Sequence, residues 1–151
     1  MIDVKQPIKA SHANFLIAIS NLIHLVINAD KNVSPKEIAV SNKMVDVEKL
    51  PREEFEARMA LLKSLDNEEI LRDGISRLRK LSAQDQIKCI AWLCIIANSD
   101  GFMATEEWQL IYQIYHKELN HDQKEIMEMQ RQLNVHISGK AVATFGVKVN
   151  A

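Results

Sequence analysis

Apolar residues follow one another so densely in two parts of the chain that each part predicts a buried helix. Residues 11–29 are apolar with few interruptions, contain no helix breaker and form a run too long for a buried strand. Residues 89–97 are apolar without a break. A helix that is apolar on nearly every side belongs in the centre of a bundle. We therefore expect both helices to lie in the middle of the fold.

Capping residues and one-sided apolar stripes predict five more helices. Ser34, followed by Pro35 and Glu37, has the pattern of a capping box and predicts a helix from 35 to about 47. The other predicted helix starts are Pro51, Asp66, Ser82 for the second buried helix, Ala104 or Thr105, and residue 121. The chain contains only 4 Gly and 3 Pro, whereas an all-β chain would need many turns. The sequence thus predicts an all-α, single-domain bundle of about seven helices.

The end of the chain breaks this pattern. Residues 135–151 contain Gly139 and Gly146, and Val142 and Phe145 favour extended backbone. We expect an irregular or extended tail, either disordered or acting as an arm that contacts a partner. The helical domain is therefore predicted at 1–134.

A sequence repeat relates two parts of the chain. The segment Leu25-Val-Ile-Asn-Ala-Asp30 matches Ile95-Ile-Ala-Asn-Ser-Asp100 at a shift of 70 positions, and Glu37 matches Glu107 at the same shift. Self-similarity at a fixed spacing indicates repeated structural units. Each unit is predicted to contain a buried helix, an Asn-x-Asp turn, a capped helix and another helix.

The match continues beyond these turns with one gap. Leu50 and the three residues after it align with Leu119 and the three residues after it, at a shift of 69 positions. The two units then span about 11–63 and 82–134, and we expect them to form two pseudo-symmetric halves of the bundle.

The repeated motif resembles the signature of the tellurite-resistance TerB-like superfamily. That signature is an apolar helix ending in Asp, often followed by Gly, then a hydrophobic residue, a cap and a Glu seven positions after the Asp. Here it reads Asp100-Gly-Phe-Met-Ala-Thr-Glu-Glu107 and, with more departures, Asp30-Lys-Asn-Val-Ser-Pro-Lys-Glu37. The resemblance covers about residues 11–134. It implies a helical, non-enzymatic domain that binds divalent cations through these acids, in a family found beside tellurite-resistance and stress-response systems and in a membrane-associated co-chaperone.

The candidate metal ligands are therefore Asp30, Glu37, Asp100 and Glu107, and the candidate ion is Ca²⁺ or Mg²⁺. Such hard cations take about six to eight oxygen ligands, so a pair of carboxylates in each turn could anchor a site that carbonyls and water complete. Lys31 stands where the family usually has Gly, and its ammonium would weaken a cation site. The second repeat is therefore favoured, and Asn32 is expected to adopt the left-handed conformation in the first.

The same acids have a purely structural interpretation. An Asp at the end of one helix can accept hydrogen bonds from the free N–H groups of the next helix. Glu37 and Glu107 would then be capping-box residues that close the helix starts. The sequence leaves open whether the acids only cap helices or bind a cation in addition.

The net charge, the apolar runs and the two cysteines indicate which kinds of partner and which cellular compartment to expect. The formal net charge is −1, so no general attraction to nucleic acid is expected. The longest unbroken apolar run is too short to span a bilayer, and the N-terminus does not have the pattern of a signal peptide. Two cysteines, Cys89 and Cys94, lie five positions apart on different helix faces, which disfavours a disulfide. We expect a cytoplasmic protein.

These observations lead to one functional hypothesis and two alternatives. The hypothesis is a TerB-like binding or scaffold module of a stress-response system, without enzymatic activity, that binds a protein partner and a divalent cation. Homodimerisation and peripheral membrane association are compatible with it. The alternatives are a metal-dependent hydrolase and a protein–protein adaptor that binds no metal.

Overall fold

The computed structural model describes residues 10–29, 31, 33–99, 101 and 103–138. Within these residues the chain forms seven α-helices and no strand, which confirms the all-α prediction. The α-helices are α1 (Ala10–Ile27), α2 (Pro35–Val47), α3 (Arg52–Leu62), α4 (Asn67–Leu78), α5 (Ala83–Ala97), α6 (Thr105–Tyr112) and α7 (Gln123–Ser138). A π-helical segment, Gln113–Glu118, directly follows α6. No helix of this described part is long and apolar enough to cross a membrane.

Helices α1 and α5 form the centre of the bundle, as their apolar pattern predicts. They pack against each other and supply most of the buried apolar side chains, among them Leu22, Ile90 and Trp92, which are fully buried. Helices α3 and α4 pack against α1, and α7 packs against α5. The outer helices therefore cover the two central ones with their single apolar faces.

The second helix of each repeat contacts the central helix of the other repeat. Helix α2 contacts α5, and α6 contacts both α1 and α5. Within each repeat the third helix packs on its own central helix, α3 on α1 and α7 on α5. The core is thus shared between the repeats, while the pseudo-symmetry of the two halves stays a prediction.

The register of the repeat changes within the second copy. Lys49 and Asn120 occupy the left-handed region, with φ of 57° and 60°, and the helices that follow begin at Arg52 and Gln123. These pairs lie 71 positions apart, so the predicted alignment at a shift of 69 is wrong. A π-helix bonds i to i+5, one residue more than an α-helix, and Leu119 N–H donates in this way to the carbonyl of Ile114 at 3.1 Å. The π-helical segment therefore takes up a one-residue insertion in the second repeat.

The structure differs from the predicted pattern at two other places. An apolar residue in a helix that packs on the core is expected to be buried, and Met44 and Val45 of α2 are, but Ile38 in the same helix is 42% exposed. Helix α7 continues to Ser138, beyond the predicted end at 134, because Ile137 lies one turn after the buried Leu133 and packs against the core. The rest of the predicted tail, 139–151, lies outside the described residues.

A buried polar contact joins the end of α2 to the central helix α5. The indole N–H of Trp92 donates to Oε2 of Glu48 at 2.8 Å, and the ammonium of Lys88 donates to Oε1 at 3.2 Å. The Glu48 side chain is only 12% exposed. Glu48 therefore satisfies the one polar atom of the largest buried side chain.

Replacing Glu48 by Ala should lower the free energy of unfolding by about 1–3 kcal/mol, because the buried indole N–H of Trp92 loses its acceptor. Glu48→Gln keeps an acceptor oxygen and should lose less. Glu56→Ala, at an exposed position on α3, is the control. Urea denaturation measures all three variants, and an Ala variant as stable as wild type would contradict the assigned role.

Gly74 permits the close packing of α4 on α1. A Cβ atom at this buried position would lie 3.2 Å from Cβ of Asn21 and 3.2 Å from Cδ2 of Leu22. Distances this short require the neighbouring atoms to move. Asn21 is itself fixed by hydrogen bonds to α3 and α4, so it cannot move without cost.

Gly74→Val should therefore destabilise the protein by about 1–3 kcal/mol through overpacking. Ser76→Val, on the exposed side of the same helix, controls for the effect of valine on helix propensity. Thermal unfolding of the two variants tests this, and equal melting temperatures would show that α1 and α4 can separate freely.

Candidate functional site

The two acidic turns connect α1 to α2 and α5 to α6, and each begins with the same backbone hydrogen bond. The N–H of Lys31 donates to the carbonyl of Asn28 at 3.0 Å, and the N–H of Gly101 donates to the carbonyl of Asn98 at 2.9 Å. Both turns therefore begin in the same way, at the end of a central helix. Asp30 and Asp100, two of the four predicted metal ligands, lie outside the described residues.

The residue after each aspartate has a positive φ. Lys31 has φ of 62° and Gly101 has φ of 103°. Lys31 thus adopts the left-handed conformation itself. Asn32 lies outside the described residues, so the left-handed conformation expected of it stays a prediction. A left-handed residue with a side chain costs roughly 1–2 kcal/mol, whereas glycine does so without strain. The second turn is thus the less strained of the two.

Glu37 and Glu107, the other two predicted ligands, are both buried at the start of a helix. They are 4% and 3% exposed. Oε1 of Glu37 accepts the N–H of Ser34 at 3.1 Å, and Oε1 of Glu107 accepts the N–H of Ala104 at 3.0 Å. The predicted capping role is therefore confirmed for both glutamates.

The first turn carries a complete capping box, and the second carries half of one. Oγ of Ser34 accepts the N–H of Lys36 at 3.1 Å, so side chain and backbone bond reciprocally at the start of α2. Ala104 occupies the corresponding N-cap of α6 and has no side-chain acceptor. The cap of α6 therefore depends more on Glu107 than the cap of α2 depends on Glu37.

Ser99, the residue before Asp100, has a buried hydroxyl without a hydrogen-bond partner among the described residues. Ala29 occupies the same place in the first repeat. A buried hydroxyl without a partner is costly, so such atoms commonly mark a place where water or an ion belongs. The second turn therefore offers an additional oxygen that the first turn does not.

The described residues contain no group of three or more His, Cys, Asp or Glu side chains placed to hold a metal ion. Because Asp30 and Asp100 are outside that set, the four-acid site stays a prediction. Of the four acids, the structure describes Glu37 in the first turn of α2 and Glu107 in the first turn of α6.

The two cysteines are free, buried thiols. Burial raises the pKa of both thiols well above the ordinary value, and for Cys89 the carboxylates of Glu48 and Asp85 raise it further. Since the thiolate is the reactive form, neither cysteine is suited to nucleophilic chemistry or metal binding.

Sequence reasoning missed two concave surfaces. A groove of about 670 Å³ lies between α1, α2 and α3, and the partly exposed Ile38 and Val33 line it with the half-buried His24. Burial lowers the pKa of His24, and the neighbouring Lys63 lowers it further. The second surface is a cleft of about 430 Å³ around Arg58, between α1, α3 and α4, with both polar and apolar residues in its lining. No sequence signal marks Arg58, because it stands in the polar pattern of an ordinary amphipathic helix.

The seven helices, the two inter-helix turns and the paired buried glutamates define an all-α bundle whose sequence contains two similar acidic turns. The family model described as tellurite resistance protein TerB matches residues 16–137. The chain therefore belongs to the TerB family. Neither the curated proteins nor the solved structures contain a significant match to it.

Replacing either capping glutamate by Ala should lower the free energy of unfolding by about 1–2 kcal/mol, since one helix N–H loses its acceptor. We expect the loss to be larger for Glu107→Ala, because Ala104 provides no second cap. The corresponding Gln variants keep an amide oxygen and should recover most of the stability. Glu106→Ala, in the same helix turn but exposed, controls for charge near the helix N-terminus. Denaturant titration gives the comparison, and identical losses at positions 106 and 107 would contradict the cap.

Proposed function

We propose that this TerB-family chain is a non-catalytic binding module of a stress-response system in the cytoplasm, and that its second acidic turn binds a divalent cation, Ca²⁺ or Mg²⁺. Asp100 and Glu107 are the proposed carboxylate ligands. The observation that carries the proposal is the buried carboxylate of Glu107 together with Ser99, eight positions earlier in the sequence, whose buried hydroxyl lacks a partner in the described part of the chain. Membership of a family that is generally not enzymatic supports the non-catalytic role.

Capping and cation binding are compatible at Glu107. An ionised carboxylate has two oxygens and several lone pairs, so the hydrogen bond from Ala104 uses only part of its capacity. Hard cations prefer such oxygens together with hydroxyls, backbone carbonyls and water. The free N–H groups at a helix start disfavour a cation, so at least two carboxylates are needed to offset them. Asp100 and Glu107 supply that number.

Two differences between the turns favour the second over the first. Gly101 takes its positive φ freely, whereas the first turn has Lys31 at that position, a cationic residue directly after Asp30 in the sequence. Ser99 provides a hydroxyl where the first turn has the methyl group of Ala29. Asp30 and Glu37 are therefore proposed as the weaker of two candidate pairs.

Thermal unfolding with Ca²⁺, Mg²⁺, Mn²⁺ and Zn²⁺ tests the proposal. Free cation at about 100 times its dissociation constant stabilises a folded protein by about 2.7 kcal/mol, which corresponds to roughly 5–10 °C for a chain of this length. We expect wild type to show such a rise with Ca²⁺ or Mg²⁺ and EDTA to reverse it. Asp100→Asn should abolish the rise.

Two matched variants make the result specific. Asp30→Asn makes the same change in the first turn and should keep the response. Glu107→Gln keeps the capping oxygen but removes the charge, so it should weaken the response while leaving the fold intact. If no cation raises the melting temperature of wild type, the acids act only as caps, and the protein is better described as an adaptor. An equal loss in the Asp30 and Asp100 variants would contradict the preference for the second turn.

A further inference from the structure

The cleft around Arg58 lies where α3 and α4 meet the central helix α1. Its volume is about 430 Å³, and its lining includes Asn21, Arg58, Leu65, Arg72 and Asp73. Asn21 is 1% exposed and so forms part of the floor. Polar and apolar groups thus converge in one concave site, as they do in many binding sites.

Arg58 is held in a fixed position by α1. Its Nε–H donates to Oγ of Ser20 at 3.0 Å, and Nη2 donates to Oδ1 of Asn21 at 2.6 Å. Ser20 and Asn21 are both almost completely buried, and Ser20 in turn donates to the carbonyl of Leu16 at 2.8 Å. One edge of the guanidinium is therefore fixed on two buried side chains that cannot easily move.

The acceptors that hold Arg58 are neutral. Among the described residues no carboxylate forms an ion pair with Arg58 within 4.0 Å. Asp73, the acid in the same cleft, instead lies 3.4 Å from Nδ2 of Asn21 and 3.6 Å from Nε of Arg77. Burial lowers the pKa of Arg58, Asp73 partly restores it, and Arg77 lowers it again. A half-buried cation normally has an anionic partner, so Arg58 retains capacity for one.

We propose that Arg58 binds a carboxylate from an acidic segment of a partner protein. The edge that remains, formed by Nη1 and the second hydrogen of Nη2, has the parallel N–H pair that matches a carboxylate. Because Ser20 and Asn21 already fix the guanidinium, little side-chain entropy is lost when the partner binds. Partial burial strengthens the resulting hydrogen bonds, since less water competes for them.

The surroundings of Arg58 favour a carboxylate over a phosphate. Arg58 and Arg72 are balanced in the cleft lining by Glu69 and Asp73, so a dianion would meet repulsion that a single carboxylate largely avoids. Two exposed apolar side chains lie beside the site: Leu65 in its lining, 41% exposed, and Leu61, one helical turn after Arg58 and 51% exposed. The expected ligand is therefore an Asp or Glu next to apolar residues in a peptide.

NMR titration of the ¹⁵N-labelled full chain tests this inference, with the Arg58 Nε–H signal as the reporter. The probe is the blocked peptide acetyl-Leu-Asp-Leu-amide, and acetyl-Leu-Asn-Leu-amide is its neutral control. Protein and buffers passed over a chelating resin before the titration are free of divalent cations, which separates this test from cation binding at the acidic turns, on which the inference does not depend. We expect a saturable change in the chemical shift of this signal with the Asp peptide. The dissociation constant of the Asn peptide should be at least about tenfold larger.

Two protein variants separate the contribution of the parallel N–H groups of Arg58 from that of the exposed apolar side chain of Leu65. Arg58→Lys keeps the charge but cannot offer parallel N–H groups, so binding, now followed on backbone amides of α3 and α4, should weaken about tenfold. Leu65→Ser changes an exposed residue, leaves Arg58 in place and should weaken binding about threefold. Arg131→Lys, an exposed arginine on α7, should bind like wild type. Melting temperatures confirm that each variant is folded.

Three results would overturn the inference. The first is a folded wild-type protein whose Arg58 signal does not respond to the Asp peptide. The second is binding by Arg58→Lys that equals wild type. The third is inorganic phosphate that binds at Arg58 more tightly than the peptide, which would replace the carboxylate by a phosphate ligand.

Discussion

Two helices without a polar face have to be buried on every side, and this requirement arranges the rest of the molecule. Helices α1 and α5 satisfy part of it by packing on each other, and the five amphipathic helices cover what remains. The acidic turns follow directly from the ends of these two helices in the chain. Glu37 and Glu107 are buried there because the next helix must begin close to the core, and its first N–H groups need acceptors.

Features that depend on a few neighbouring residues could be predicted from the sequence. Ser34 with Glu37, Asp66 and Ser82 all cap helices as their local patterns indicate. The apolar density of α1 and α5 was sufficient to place both helices in the centre. The repeat was visible because its turns share residues at a constant shift. The alignment predicted beyond the turns is wrong by two residues. The reason is that a π-helical insertion leaves no mark in composition or apolar spacing.

Features that depend on which helices meet in space could not be predicted. Glu48 looks like any polar residue at a helix end, yet the fold sets it against the indole of Trp92. Ile38 fits the apolar stripe of α2 but faces a groove. The guanidinium of Arg58 is held in place by hydrogen bonds to Ser20 and Asn21, which are distant from Arg58 in the sequence. For the acidic turns, the sequence could name the carboxylates, but cation binding depends on how their oxygens converge, which spacing alone does not determine.

The crossed packing of α2 on α5 and of α6 on α1 has a consequence for cooperativity. A half released from its partner would expose one entire side of an apolar helix, so a state with one half folded lies far above the native state in free energy. Loss of structure in either half is therefore expected to propagate to the other. A ligand bound at one end of the bundle thus adds its binding free energy to the stability of the whole bundle. Residues far from the ligand become harder to unfold although their structure does not change.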